Sequence, residues 1–209
     1  IVAGDLVDDD EDAAEVGAAL RRALEPLRAL YTTGNHETAD ERSPRLPFRR
    51  NDTRRTIAGL DAGGLERIDG RAVDLAGTTL IGIGWAGWAP GAPAAAIALV
   101  AAKRPAVVVT HSPDHVRGIA EAHALVALCG HTHGGQVRLP AVGAPWTPVR
   151  APLPRLAGRM RLDGIPTYVS RGIGHTVPVR LGAVPEATLV EIAPDRRSRP
   201  PAGVRVVEL

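Results

Sequence analysis

Four short polar motifs in this sequence each follow an apolar run with the composition of a β-strand, and this arrangement constrains the fold most. The longest motif is Gly130-His131-Thr132-His133-Gly134-Gly135-Gln136. The three upstream motifs are Gly4-Asp5-Leu6-Val7-Asp8, Gly34-Asn35-His36-Glu37 and Thr110-His111-Ser112-Pro113. In open α/β sheets, sites form outside the carboxyl ends of strands, so we expect these motifs to meet at one edge.

The side chains of these motifs are those of a metal site. They offer one carboxylate, one amide oxygen and several imidazoles, a mixed set that suits a divalent transition metal. The predicted ligands are Asp5, Asn35, His111, His131 and His133. A carboxylate has two oxygens, so it can bridge two ions about 3.5–4 Å apart, the spacing used for phosphoryl displacement. The glycines at 134–135 give the backbone freedom to turn the two neighbouring histidines toward adjacent ions.

Composition is typical of one globular domain. The chain has 209 residues, 44% of them hydrophobic, and we predict a single domain at 1–193 and a C-terminal tail at 194–209 that could add an edge strand. The formal charge of +2 gives no reason to expect nucleic-acid binding. Cys129 is the one cysteine, which excludes an internal disulfide.

The sequence leaves the compartment open between the cytoplasm and the membrane or cell envelope. No apolar run reaches the roughly 18 residues of a membrane span. The chain starts at Ile1, inside a predicted strand that leads directly into a motif. We therefore expect upstream sequence, including any targeting segment, to be absent from this chain.

Helix and strand patterns alternate along the first two thirds of the chain. Acidic residues followed by Val16, Leu20 and Leu24 at four-residue spacing predict a first helix. Further helices are predicted at 54–60, 93–102 and from 113 onward. A hairpin is predicted around Asp163-Gly164, and the last clear strand at 187–192. This order favours an α/β fold with a mixed sheet, or two stacked sheets, covered by helices.

Together and in this order, the four motifs resemble those of the calcineurin-like metallophosphoesterase superfamily. The Gly-Asn-His-Glu and Gly-His-Thr-His-Gly-Gly-Gln forms are similar to its bacterial envelope-associated branch, as are Tyr168-Val169-Ser170-Arg171-Gly172-Ile173-Gly174 and Pro185-Glu186. The resemblance covers essentially the whole chain. It implies an α/β/β/α sandwich, two mixed sheets flanked by helices, here without its N-terminal strand.

The resemblance also implies a metal arrangement. Asp5 would bridge two divalent ions, with Mn, Fe and Zn all compatible with the ligand types. Asn35, His111 and His131 would complete the shell of one ion, and His133 would ligate the other. The implied reaction is hydrolysis of a phosphomonoester, phosphodiester or pyrophosphate by metal-activated hydroxide.

Three further motif residues receive roles from the same resemblance. His36 would be the catalytic residue, acting as general acid or transition-state stabiliser for the departing oxygen. Glu37 and Asp8 would position backbone and neighbouring side chains rather than bind metal.

One part of the family pattern is absent. The family carries an Asp-x-His motif on a strand upstream of Gly-Asp-x-x-Asp, where it supplies two further ligands to the ion held by His133, and nothing here precedes Ile1. Two hypotheses follow. The chain is part of an active dinuclear phosphoesterase, or it is an N-terminally truncated, non-catalytic remnant or binding protein that retains one ion.

The substrate is not readable from the motifs. Six arginines between Arg42 and Arg55 form a loop whose functional interpretation is contact with an anionic substrate or lipid headgroup, and whose alternative is a solvated loop. We predict Arg49 and Arg50 as substrate-binding residues. A lipid-linked or nucleotide-sugar phosphate ester is the partner to test, together with peripheral membrane contact.

A few residues outside the ligand set have expected roles of their own. His115, His123 and His175 are interpreted as structural hydrogen-bonding residues, and Cys129 as a core residue. Trp85 follows a strand end and could line the substrate cleft.

Overall fold

The structure is a computed structural model that describes residues 1–8, 10–38, 52–75, 77–85, 92–103, 105–119, 124–139, 155–175, 178–194 and 202–208. The helices in these ranges are α1 (Ala13–Ala23), α2 (Thr53–Ala62), α3 (Ala92–Ala102) and α4 (Pro113–Gly118). The strands are β1 (Val2–Ala3), β2 (Leu30–Thr32), β3 (Glu66–Arg67), β4 (Ala72–Leu75), β5 (Thr78–Ile83), β6 (Ala106–Thr110), β7 (Val126–Cys129), β8 (Gly158–Leu162), β9 (Ile165–Val169), β10 (Thr188–Pro194) and β11 (Ala202–Glu208).

Two sheets carry the four motifs. The smaller sheet has the order β1-β2-β3 with parallel pairing throughout. The larger has the order β4-β5-β6-β7-β9-β8, in which β5, β6, β7 and β9 are parallel and the outer strands β4 and β8 are antiparallel to their neighbours. The motif-bearing strands β1 and β2 are adjacent in one sheet, and β6 and β7 are adjacent in the other.

Local sequence explains several element ends. The α1 helix begins after the acidic residues Asp10–Asp12 and has Arg21 and Arg22 in its last turn, which complements the helix dipole. Ser112 caps α4, where its side chain accepts the Asp114 backbone N–H. The hairpin turn between β8 and β9 places Asp163 and Gly164 at positive φ, as a type I′ turn requires.

Three apolar clusters separate four layers. One contains Leu60 of α2 and Tyr31 of β2, so it lies between the first helices and the small sheet. A second contains Leu30 of β2 together with Val107 and Val109 of β6, so it lies between the two sheets. The third lies on the other face of the large sheet, where Val108 of β6 packs with residues of α3 and α4.

This order of layers is α/β/β/α, and it confirms the predicted fold class of two sheets flanked by helices. The alternation of Val107, Val108 and Val109 between two clusters follows from the two-residue period of a strand that is buried on both faces.

The C-terminal strands β10 and β11 pair antiparallel with each other over their whole length, from Thr188↔Glu208 to Pro194↔Ala202. Strand β11 therefore falls within the predicted tail. The division into a domain at 1–193 and a tail at 194–209 stays a prediction.

Candidate functional site

The carboxyl ends of β1, β2, β6 and β7 place the four motifs beside one another. Asp5, Asn35, His111 and His131 each follow one of these strands by one to three residues. Gly4 and Gly34 let the backbones approach, because a Cβ at Gly4 would lie 2.7 Å from both Gly34 Cα and His111 Nδ1. The predicted meeting of the motifs at one edge is thus present in the structure.

His111 is the centre of this group. Its Nε2 lies 3.0 Å from Asp5 Oδ2, 3.1 Å from Asn35 Oδ1 and 2.8 Å from His131 Nδ1. Its Nδ1 lies 2.6 Å from the Ala3 carbonyl oxygen, an acceptor, so Nδ1 is the nitrogen that donates. We call Asp5, Asn35, His111 and His131 the ligand cluster.

The ligand cluster has the chemistry of a cation site. The ligand atoms of Asp5, His111 and His131 all lie within 4.8 Å of one another. The ligand atoms of the cluster all offer electron pairs. A single proton can join only two of these atoms at a time, whereas a divalent cation can bind all of them together. The hydrogen bond from Nδ1 to Ala3 also fixes the His111 ring with Nε2 toward the cluster, as is usual for metal-bound histidine. These residues therefore fit a divalent metal ion.

The charges within the ligand cluster reinforce one another. Burial alone would raise the pKa of Asp5, but the charges of His111 and His36 and their hydrogen bonds hold it well below its usual range. Burial alone would lower the pKa of His111, but the Asp5 charge and hydrogen bond outweigh burial and raise it. The site thus stabilises a negative Asp5 and attracts positive charge.

Glu37 holds the loop that presents Asp5. Its fully buried carboxylate accepts the backbone N–H groups of Asp5 at 2.9 Å, Leu6 at 2.6 Å, Val7 at 3.2 Å and Gly34 at 2.7 Å. Asp5 has a φ of 56°, a left-handed conformation that these bonds stabilise. Burial and the nearby Asp5 charge raise the pKa of Glu37. The predicted role of Glu37 in positioning backbone is thus present in the structure.

His36 lies beside the ligand cluster and is oriented by Asp8. Its Nδ1 is 2.5 Å from Asp8 Oδ1, its Nε2 is 3.9 Å from Asp5 Oδ2, and its backbone N–H donates to Asp5 Oδ1 at 3.0 Å. Burial alone would lower the pKa of His36, but the hydrogen bond to Asp8 and the charges of Asp5, Asp8 and Glu37 raise it to about 9. His36 is therefore cationic at neutral pH, and Asp8 has the positioning role expected of it.

His133 is placed differently from the other predicted ligands. It does not belong to the group of converging ligand atoms found among the described residues, which is Asp5, His111 and His131. Its carbonyl accepts Arg180 Nη1 at 3.2 Å, and its Nδ1 lies 3.4 Å from Arg180 Nη2. Burial and the Arg180 charge lower the pKa of His133, which keeps the ring neutral, the form that can ligate a metal.

The loop that carries the two histidines, residues 130–136, is conformationally strained, and we call it the histidine loop. His131, His133 and Gln136 have φ angles of 69°, 50° and 43°. Left-handed backbone costs about 1–2 kcal/mol at a residue with a side chain, so external contacts must hold it. One such contact is the hydrogen bond at 2.6 Å from Thr132 Oγ1 to the Leu156 carbonyl.

Trp85 packs against the histidine rings. Its ring centroid lies 5.8 Å from that of His111, 5.4 Å from His131 and 5.1 Å from His115. His115 forms a buried contact of 2.8 Å with Thr110 Oγ1, so its structural interpretation is confirmed. The observed ring contacts of Trp85 are with three histidines, two of them in the ligand cluster, while its role in a substrate cleft stays a prediction.

Sequence reasoning missed two positioning residues. Asp69 accepts the Thr33 backbone N–H at 3.1 Å and its hydroxyl at 2.9 Å, which fixes the residue before Gly34. Its position directly before Gly70, after an apolar residue, was an available signal. Arg180 contacts His133 from 47 positions away, and nothing in its local sequence indicates that contact.

Three predicted residues cannot be placed. Arg49, Arg50 and His123 lie outside the described residues, so their roles stay predictions. His175 is exposed. Among the described residues, we find no helix with the length and apolar character needed to cross a membrane.

Comparison with known proteins places this site in a family. A family model described as calcineurin-like phosphoesterase matches residues 1–135, a range that contains all five predicted metal ligands and His36. Phosphodiesterase YaeI of Escherichia coli (strain K12) is 37% identical over 91 residues, which are 44% of this chain and 33% of that protein. Uncharacterized metallophosphoesterase YkuE of Bacillus subtilis (strain 168) is 34% identical over 84 residues, which are 40% of this chain and 29% of that protein.

The matched region thus spans about a third of each of these curated relatives. No solved structure matches the chain. The family model covers well over half of the 209 residues, and the matched range contains the ligand cluster. The chain belongs to the calcineurin-like phosphoesterase family.

Proposed function

We propose that this chain carries the metal centre of a phosphoesterase that hydrolyses a phosphomonoester, phosphodiester or pyrophosphate. The observation that supports the proposal most strongly is the convergence of Asp5, Asn35 and His131 on His111 Nε2 in a chain of this family. The relative YaeI is named a phosphodiesterase, which favours a diester as the first substrate to test.

The proposed centre is dinuclear. The ligand cluster would hold one divalent ion, and Asp5 with His133 would take part in holding the second. Mn²⁺, Fe and Zn²⁺ all fit these donors. When bound, such ions supply Lewis acidity toward phosphoryl oxygens and lower the pKa of a water molecule.

The chain's own residues would orient the reacting groups and move one proton. Asp5, partly buried and kept anionic by His111, anchors the cluster, and Asn35 adds an oxygen ligand without further negative charge. Asp8 engages His36 at Nδ1, so Nε2 is the nitrogen whose proton can pass to the departing oxygen. Glu37 keeps the Asp5 loop in place during this transfer.

A second candidate function rests on the position of His133. His133 is not among the converging ligand atoms of the described residues, which favours a protein that holds one ion and binds without catalysing. The two candidates differ in turnover and not in fold.

A hydrolysis assay separates them. The 209-residue chain, loaded with Mn²⁺, is expected to hydrolyse bis(p-nitrophenyl) phosphate, to lose this activity with a chelator, and to regain it when Mn²⁺ is restored. His36→Gln is expected to lower kcat about 100-fold or more while the ion is retained, because a general acid contributes on that order. Metal binding without turnover by the wild-type chain would favour the one-ion alternative.

We further propose that the substrate is lipid-linked, with a nucleotide-sugar phosphate ester as the alternative. Large apolar side chains are exposed close in sequence to Arg171 and Ala183, which lie near Gly134 of the histidine loop; among them are Ile173 at 68% and Val184 at 70%. Such residues could contact the apolar part of a lipid and give peripheral contact with a membrane, while Arg49 and Arg50 contact its anionic part.

The substrate proposal has its own test. Ile173→Ser combined with Val184→Ser is expected to raise KM for a lipid-linked phosphate ester in mixed micelles, without changing KM for the soluble diester. Arg49→Ala combined with Arg50→Ala is expected to raise KM for the lipid substrate as well. Unchanged KM in both pairs, or efficient turnover of a nucleotide sugar alone, would rule out the lipid.

A further inference from the structure

The histidine loop needs an external support, and residues 171–175 and 178–186 lie against it. We call these residues the closing segment. Within the described part of the chain, Leu181 N–H donates to the Gln136 carbonyl at 2.9 Å, and Gln136 Nε2 donates to the Val179 carbonyl at 3.2 Å. The closing segment lies beyond residue 135, where the family match ends. Part of the support for the site therefore comes from outside the matched region.

Arg180 makes the densest set of these contacts. Its Nε donates to the Gly174 carbonyl at 3.1 Å, and its Nη1 donates to the carbonyls of His133 at 3.2 Å and Ala183 at 3.1 Å. Its Nη2 donates to the Arg171 carbonyl at 2.9 Å and to the Gly174 carbonyl. The five N–H groups of the guanidinium thus meet carbonyl oxygens of four residues, one of them on the histidine loop.

The closing segment is itself pinned to the core. Arg171 Nη2 lies 2.5 Å from Oε2 of the buried Glu186, and the Tyr168 hydroxyl donates to the same carboxylate. The Glu186 N–H donates to the Gly172 carbonyl at 3.0 Å, which closes the segment. Pinned at both ends, the segment can hold Arg180 in place against His133.

The stem of Arg171 packs against the same loop at Gly134. A Cβ at Gly134 would lie 2.7 Å from Arg171 Cγ, so the loop and the Arg171 side chain are in close contact there. The motif at 168–174 and the Pro185-Glu186 pair, which bind no ion in the arrangement above, acquire a function in this way. They build the platform that carries Arg180.

We propose that Arg180 is a positioning residue: its guanidinium ties the backbone of His133 to the closing segment and holds the strained histidine loop in the form that presents His133. Lysine cannot replace it fully, because a single ammonium has three donors at one point, while the guanidinium has five in a planar fork. For the ion that His133 would help to hold, this inference rests on the proposed function.

Amide hydrogen exchange tests the positioning role without any metal. In the metal-free 209-residue chain, Arg180→Ala is expected to speed exchange across 130–136 about tenfold or more and to leave β6 unchanged. Arg180→Lys should fall between, and Arg28→Ala, which breaks an exposed pair with Glu66, serves as control. Unchanged exchange at 130–136, or equal acceleration everywhere, overturns the proposal. If Arg180→Ala does not fold, Arg180→Lys decides by the same criterion.

Zn²⁺ affinity tests whether Arg180 acts through His133. Arg180→Ala is expected to weaken the weaker of the two Zn²⁺ sites about 10–100-fold in competition with a chelating dye, as the loss of a ligand's supporting partner does. In a His133→Ala background, the same change should have no further effect. An equal loss in both backgrounds overturns the proposal. If the wild-type chain binds no Zn²⁺, the proposed function fails, while hydrogen exchange still decides the role of Arg180.

Discussion

The two histidines of the histidine loop belong to two regions that hold them in different ways. His131 lies in the ligand cluster, where side chains from four adjacent strand ends converge on one point. His133, two residues later, is contacted at its carbonyl and at its ring by Arg180 of the closing segment. The first region is complete within residues 1–135 and the second draws on residues beyond them. The proposed metal centre would therefore be built by two parts of the chain, and the first would be able to hold a cation alone.

The largest expected effect on stability is at Glu37, which holds the loop that presents Asp5 to the ligand cluster. Glu37→Gln puts an amide NH₂ where one carboxylate oxygen now accepts backbone N–H groups, so we expect a loss of about 2–4 kcal/mol in the free energy of unfolding. Chemical denaturation of the metal-free protein measures this loss. Glu66→Gln is the matched control, since its exposed pair with Arg28 is worth only about 0–1 kcal/mol. Equal losses of stability at the two positions would contradict the role of Glu37 in holding the loop that presents Asp5.

The pH dependence of stability tests the contacts that hold His36 beside the ligand cluster. Its folded-state pKa of about 9 lies above the ordinary value of 6.5. A raised pKa means that the stabilisation is fully present below about pH 6.5 and is lost as the pH rises through 9. We expect the free energy of unfolding of the metal-free protein to fall across this window.

Asp8→Asn should reduce that fall by about 1–2 kcal/mol, because it removes the negative charge beside His36 Nδ1 and leaves Asp5 and Glu37 in place. An NMR titration of the His36 ring checks the same point directly. A ring that titrates near 6.5 in the wild type would show that the Asp8 contact does not hold a charge.

Cys129 offers the smallest and most local test. The thiol is buried at the end of β7, directly before the histidine loop, and burial raises its pKa. We expect labelling by a thiol reagent to be at least about 100-fold slower in the native protein than in denaturant. Arg180→Ala should leave labelling slow, because the change frees the loop and not the strand. Fast labelling of the native wild type would mean that β7 itself opens readily.

The ligand cluster could be predicted from the sequence because each of its residues follows an apolar run that forms a strand. The geometry of parallel strands then brings these residues together at the strand ends. Asp5, Asn35, His111 and His131 could be predicted in this way, and Glu37 could be recognised as a positioning residue. Asp163-Gly164 likewise indicated the hairpin of β8 and β9 by its turn chemistry.

The remaining features depend on tertiary contacts that leave no local pattern. Strand β3 is only Glu66–Arg67, with no apolar run to mark it. Arg180 looks like any other arginine in a chain that has 25 basic residues, and its role depends on carbonyl groups up to 47 positions away. The family resemblance assigned His131 and His133 to different ions, but the contact of His133 with Arg180 could not be read from the motif.

Metal content per chain most directly tests the proposal that the ligand cluster holds a cation without help from His133. The three proteins to compare are the wild type, His111→Ala and His133→Ala. Each is loaded with Mn²⁺, desalted and measured by elemental analysis. This proposal predicts that His133→Ala keeps the ion of the ligand cluster and loses at most the second ion, while His111→Ala loses the cluster ion. Thermal unfolding of each protein shows that the chain is folded. A folded His111→Ala protein with the metal content of the wild type, or a His133→Ala protein with no metal, would contradict it.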